Sequence, residues 1–251
     1  MRPVFVNSIL RSLQAEGRLS SAHSVLAVCS GLAEHALFQS CGVVQVTLSG
    51  LDPSVTPERV APFAVERADA RKLPFKDGSF DYVFVSDGLH HCDSPHRALL
   101  EMYRVARAGV IVVESRDSAV QRLAERLMWP RQTYELAAVE GNGGTCGGVN
   151  YTSVPNFVYR WTEREFEKTI SCYDPTGAPG FRYYYGFNPP NRSYSGVMHY
   201  AYRITLWAAS VVARVFKRQS NSFCMIAFKP TELFPWLIRD AEGRPVFKMK
   251  G

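Results

Sequence analysis

The chain contains no run of 18 or more uninterrupted apolar residues, and its first residues, "MRPVFVNSILRSLQAEG", lack a basic head leading into an apolar segment. Neither a membrane-spanning helix nor a secretion signal is expected, and the reading is of a soluble, cytoplasmic protein. Its six cysteines, Cys29, Cys41, Cys92, Cys146, Cys172 and Cys224, form no CxxC pair and have no histidine at ligand spacing. That pattern argues against a zinc site and a disulfide framework, so no metal is assigned and reduced thiols are expected. Dense Lys/Arg runs and internal repeats are also missing.

Acidic residues are scarce at one end. Residues 181 to 251 carry 11 Lys+Arg against 3 Asp+Glu, a local net of +8, whereas residues 1 to 180 carry 18 against 20, a net of −2. Such asymmetry suits an acidic partner or simply a solvated face with a basic tail, and without an added RNA-binding motif no nucleic acid is expected. With 46% hydrophobic and 12% aromatic residues in 251, there is enough apolar material for one large core.

Apolar spacing predicts a helix over residues 5–16 with Phe5, Ile9, Leu10 and Leu13 on one face, stopped by Gly17. "SVLAV" reads as a strand buried on both faces, "EHALFQSCG" as a helix closed by Gly42, and "VVQVTLSGLD" as a second strand ending at Asp52. "PERVAPF" reads as a short helix and "VERADARKLPFKDGS" as a connection. "FDYVFVSDG" is a further strand, "SPHRALLEMYRVA" a helix with Pro95 at its first position, and "AGVIVVES" the next strand. This alternation implies an α/β fold: a doubly wound, Rossmann-like, mostly parallel sheet with helices on both faces. Ligands then sit beyond the carboxyl ends of the strands, so residues 29–34, 52, 69–70 and 86–91 should converge on one crevice. After residue 115 a helical and loop insertion is expected. It comprises the helix "DSAVQRLAERLMWP", the glycine-rich, mobile "EGNGGTCGGVNYTSVPN", the capped helix "TEREFEKTI", the strands "GFRYYYGF" and "SFCMIAFKP", and an amphipathic helix over 197–216.

Asp52 stands 21 residues after Gly31, the spacing at which a carboxylate meets ribose hydroxyls in a doubly wound nucleotide site. The decisive stretch is "ADARKLPFKDGSFDYVFVSDGLHHCDSPHRALLEMYRVARAGVIVVES", residues 68 to 115. It resembles the class I S-adenosylmethionine-dependent methyltransferases, in particular the type 11 group that includes the ubiquinone and menaquinone biosynthesis enzymes, whose members read D-A-x-x-L-P-F-x-D-x-S-F-D-x-V, then L-H-H-x-x-D.

The resemblance implies S-adenosylmethionine as cofactor, with Cys29, Ser30, Gly31 and Glu34 behind its methionine part, Asp52 and Pro53 at the ribose, Asp69 and Ala70 at the adenine, and Ser86 near the sulfonium. It implies methyl transfer to a small-molecule acceptor, with a hydroxyl expected. His91, His90 and Asp87 are the candidates for proton transfer and acceptor orientation. Tyr151, Tyr159, Trp161 and His199 are candidate acceptor walls, because a sulfonium and a flat acceptor both favour aromatic surfaces. One domain over 1–251 is expected, with a cofactor half at 1–115, lid and acceptor-side insertions at 116–222, a last strand at 223–230 and a basic tail at 231–251.

The family loop V-L-D-V-G-C-G-T-G is degenerate here: Ala27 replaces the Asp, Cys29 and Ala33 the outer glycines, and Leu32 the Thr. Leu32 and Ala33 are expected to narrow the methionine end. The erosion leaves open a catalytically silent member acting as a binding or assembly subunit. For the 197–216 helix, packing on the domain is expected, with a homodimer or peripheral membrane contact as alternatives.

Overall fold

A computed structural model describes residues 2–127, 133–188 and 195–249. The end of the "DSAVQRLAERLMWP" helix, residues 128–130, lies outside the described residues, as do parts of the expected insertions and tail.

A seven-stranded sheet is formed by β1 (Val25–Ala27), β2 (Val46–Gly50), β3 (Ala64–Arg67), β4 (Phe80–Ser86), β5 (Ala106–Ser115), β6 (Gly180–Gly186) and β7 (Ser222–Phe228), in the order β3-β2-β1-β4-β5-β7-β6. The first five strands run parallel, while β7 pairs antiparallel with both β5 and β6. Strand alternation splits the core into two layers. Val83 and Val85 of β4 and Val110 and Val112 of β5 face one side, under α3 (Pro95–Val105) and α6 (Glu163–Tyr173). Tyr82, Phe84, Ile111 and Val113 face the other, under α1 (Arg2–Ala15) and α2 (Leu32–Cys41).

Local chemistry sets the helix ends. Pro95 opens α3, where its missing N–H costs nothing. The Thr162 hydroxyl accepts from the Glu165 amide at 3.2 Å to cap α6. Gly42, with φ 67°, closes α2 in the left-handed conformation. The sheet doubles back between β1 and β4, so their carboxyl ends flank the open crevice of the switch point.

Three expectations are corrected. "PERVAPF" is a run of turns, since two prolines within seven residues withhold the amides a helix would need. The expected connection instead begins with edge strand β3, whose polar Ala64–Arg67 sequence hides its strand character. The tail is structured as well: β8 (Leu237–Arg239) and β9 (Pro245–Phe247) pair as a hairpin. Between β5 and β6 lie α4 (Ala119–Leu127) and α5 (Leu136–Gly141), and between β6 and β7 lies α7 (Gly196–Val215).

Candidate active site

A cleft of about 280 Å³ opens at the switch point, lined by Cys29–Gly31 after β1, Gly50–Asp52 after β2, Ala68–Ala70 after β3, and Asp87, Gly88, His91 and Cys92 after β4. A fifth segment, Gly147, Gly148, Asn150 and Tyr151, covers it. The strand-end rule thus locates four of the five wall segments from sequence; the cover comes from the glycine-rich insertion.

The loop after β1 is tied in place by its own side chains without most of the family glycines. Ser30 ties it to β2: its hydroxyl donates to the Ala27 carbonyl at 2.8 Å and accepts from the Ser49 amide at 3.0 Å. Cys29 adopts φ 50°, a left-handed conformation strained for a residue with a side chain. Its thiol is held well above the ordinary cysteine range by the hydrogen bond with Cys92 and by burial, so it is no nucleophile. Gly88 fits closely against it, for a Cβ there would lie 2.5 Å from the Cys29 Cβ. Leu32 and Ala33 do not narrow the cleft. Helix α2 begins at Leu32 and turns both side chains to solvent, leaving the constriction to Cys29. Glu34 also stays out of the lining and accepts the Gly31 amide at 2.8 Å. Pro53 lines a small recess behind Asp52, and Ser86 ends β4 beside Val113.

Asp52 accepts a hydrogen bond from the Tyr151 hydroxyl at 2.8 Å and from the Ser54 amide at 2.8 Å. Partial burial opposes its ionisation, but these bonds outweigh it and hold the carboxyl below the ordinary range. Asp69 is forked by Arg71, at 2.9 Å from Nε and 2.5 Å from Nη2, and Arg71 also pairs with Asp93. The Asp93 amide in turn donates to Asn150 Oδ1 at 3.2 Å. Asn150 (φ 50°) and Tyr151 (φ 63°) are left-handed, so the cover is held down by side-chain bonds against backbone strain.

The two adjacent histidines part company. His90 is 4% exposed, with Nδ1 2.6 Å from buried Glu114 and Nε2 3.3 Å from Glu135. Burial alone would depress its pKa, but the two carboxylates raise it to about 10, so it is an imidazolium bridging them. It packs beneath the cleft wall and is not positioned to take a proton from an acceptor. His91 lines the cleft, its Nε2 3.3 Å from Glu135. Burial and the charge of His90 lower its pKa, against the pull of Glu135, Glu114 and a hydrogen bond to the Gly148 carbonyl, leaving a neutral imidazole. Glu135 is held down to about 2: burial would raise it, but His90 and His91 prevail.

Among the described residues, ligand atoms of His90, His91 and Glu135 lie within 4.8 Å of one another. The ion-pair network accounts for that grouping, since both His90 nitrogens already face carboxylates. Glu114 and Glu135 were missed in the sequence, although a glutamate inside the apolar run "VIVVES" signals a buried charge that needs a partner.

Three of the four acceptor-wall assignments are corrected. Trp161 is 0% exposed, packed against His96 and Tyr159 in the core. The Tyr159 hydroxyl donates to Glu165 on α6, away from the cleft lining. His199 lies on α7 and likewise does not line the cleft. Tyr151 does, but against the expected ribose carboxylate and not in a separate acceptor pocket.

Residues 26–113 match the family described as "Methyltransferase domain", and this segment carries β1, β4 and four of the five cleft walls. That segment matches the methyltransferase domain of the type 11 group, the group its sequence resembles. The segment is similar to the demethylmenaquinone methyltransferases of Listeria welshimeri and Listeria monocytogenes, each 33% identical over 103 residues that cover 37% of this chain and 44% of the relative. Another, from Streptomyces avermitilis, is 51% identical over 45 residues, 18% of this chain and 20% of that protein. The match thus spans less than half the length of these relatives. Across most of the chain the methyltransferase fold recurs in solved structures. Magnesium protoporphyrin IX methyltransferase from Synechocystis, with bound SAH, superposes with TM-score 0.54 at 14% identity, covering 91% of this chain and 83% of that one. A SAM-dependent methyltransferase from Archaeoglobus fulgidus gives TM-score 0.53 at 12% identity, covering 90% and 94%.

Proposed function

We propose that the chain transfers the methyl group of S-adenosylmethionine to a hydroxyl of a small-molecule acceptor in the cleft at the β1/β4 switch point. The observation that carries this reading is the placement in one cleft of a carboxylate already accepting from a hydroxyl, Asp52 on Tyr151, and a neutral imidazole, His91. The phenol on Asp52 is a stand-in for a ribose hydroxyl, so the donor set fits the cofactor. Asp52 would hold the ribose, Asp69 and Ala70 the adenine, and the Cys29–Gly31 turn the methionine part. When bound, the cofactor supplies an electrophilic methyl group on a sulfonium centre.

At about 280 Å³ the covered cleft is at the small end for a drug-sized ligand. The 147–151 segment must therefore swing away, and its displacement frees both working groups: Asp52 loses Tyr151, and His91 loses the Gly148 carbonyl. With the ring's one proton on Nε2 facing Glu135, the nitrogen freed from Gly148 carries the lone pair that takes the acceptor's proton, and Glu135 orients the ring and stabilises the charge that forms. Reclosure excludes water and holds the acceptor in line.

Calorimetric titration with S-adenosylhomocysteine tests the reading through two variants with opposite effects. Asp52→Ala should weaken binding by about ten- to a hundredfold, the equivalent of a lost charged hydrogen bond. Tyr151→Phe should tighten it by about fivefold, because a competing hydroxyl is removed. Equal affinities in parent and both variants would place the cofactor elsewhere.

A further inference from the structure

Helix α7 turns its apolar side outward. Tyr200, Ile204, Trp207, Val211 and Val215 recur at helical spacing along one stripe, and Trp207 and Ile204 are 68% and 66% exposed. The opposite side carries Tyr202, Leu206 and Ala213, of which only Ala213 is buried. A groove of about 850 Å³ against α1 and β6 takes Leu206, Ala213 and the edge of Trp207 into its lining, whereas Tyr200, Ile204, Val211 and Val215 lie outside it and stay exposed. The expectation that this face packs on the domain is thereby corrected: apolar periodicity shows a stripe but not which way it points.

We infer that α7 docks the protein onto an anionic lipid bilayer, lying in the plane of the interface. Charge decides the occupant. No Asp or Glu occurs from residue 175 to residue 231, while Arg203, Arg214, Lys217 and Arg218 flank the stripe or follow its end. A second copy of this chain would bring like charges together, whereas lipid phosphates complement them. Tyr200 and Trp207 add rings with one apolar and one polar end, suited to the headgroup boundary. At 20 residues the helix is about 30 Å long, yet no helix among the described residues is long and apolar enough to cross a membrane. Lying on the surface is the arrangement left to it.

Flotation of the full chain with vesicles tests the assignment. Phosphatidylcholine vesicles containing about one third phosphatidylglycerol should bind it at least about tenfold more tightly than phosphatidylcholine alone, and added salt should reduce the difference. Ile204→Ser with Trp207→Ser should cut binding to the anionic vesicles by about tenfold or more. Arg203→Gln with Arg214→Gln should narrow the preference for anionic lipid, with circular dichroism confirming that both variants fold. Failure of the parent to float with either vesicle would overturn the proposal. So would a concentration-dependent dimer by light scattering that the Ile204→Ser, Trp207→Ser variant abolishes while vesicle binding is unchanged.

Discussion

Replacing His91 by glutamine is expected to lower kcat for methyl transfer to a hydroxyl acceptor by about 10²–10⁴-fold, the usual contribution of a positioned base. The affinity for S-adenosylhomocysteine should change little, because the ribose and adenine contacts are made by other walls of the cleft. The measurement is transfer of labelled methyl from S-adenosylmethionine to phenolic and quinol acceptors at saturating cofactor. Its pH dependence carries a sign. A base works when neutral, and burial together with the His90 charge lowers the His91 pKa below its ordinary value. Glu135, Glu114 and the Gly148 carbonyl pull the other way and do not reverse it. Activity should therefore be flat through neutral pH and fall only on the acid side of about 6.5. A variant as active as the parent, or an acid limb above 7, would remove His91 from the base role.

Glu114→Ala should cost about 3–5 kcal/mol of folding stability, measured by denaturant unfolding, because it strands a buried imidazolium. The same change leaves the Leu89 amide, which donates to Glu114 Oε1 at 2.7 Å, without its partner. The network also gives stability a pH dependence. The folded-state pKa of His90 is raised from 6.5 to about 10, so its contribution is complete below about 6.5 and is lost as pH rises through 10. For Glu135, lowered from 4.5 to about 2, the contribution is complete above about 4.5 and is lost as pH falls through 2. The shared interaction is thus at full strength between about 4.5 and 6.5. In Glu114→Ala the alkaline decline should flatten. Parent-like stability with an unchanged pH profile would show that the pair contributes nothing.

The legible parts of this fold were those in which one strand or one turn carries its own signal. "SVLAV", "FDYVFVS" and "VIVVES" declare buried parallel strands, and the strand-end rule then places Ser30, Asp52, Asp69 and Asp87 together without knowledge of their contacts. What escaped depends on direction or on distance along the chain. Leu32 and Ala33 look like wall residues until the start of α2 is known, because that start rotates them outward. His90 and His91 are indistinguishable in sequence. Glu114 from β5 and Glu135 from the insertion make His90 a buried cation, and that charge together with burial leaves His91 a neutral imidazole. Trp161 reads as a candidate acceptor wall but fills the core. The polar edge strand β3 has too little apolar alternation to announce itself.

The most direct test of the central claim is a crystal structure of the chain with S-adenosylhomocysteine. Ribose hydroxyls are expected on the Asp52 carboxylate, adenine beside Asp69 and Ala70, and the Tyr151 hydroxyl displaced from Asp52. Ligand bound with the Tyr151–Asp52 hydrogen bond intact, or seated away from the β1/β4 switch point, would contradict it.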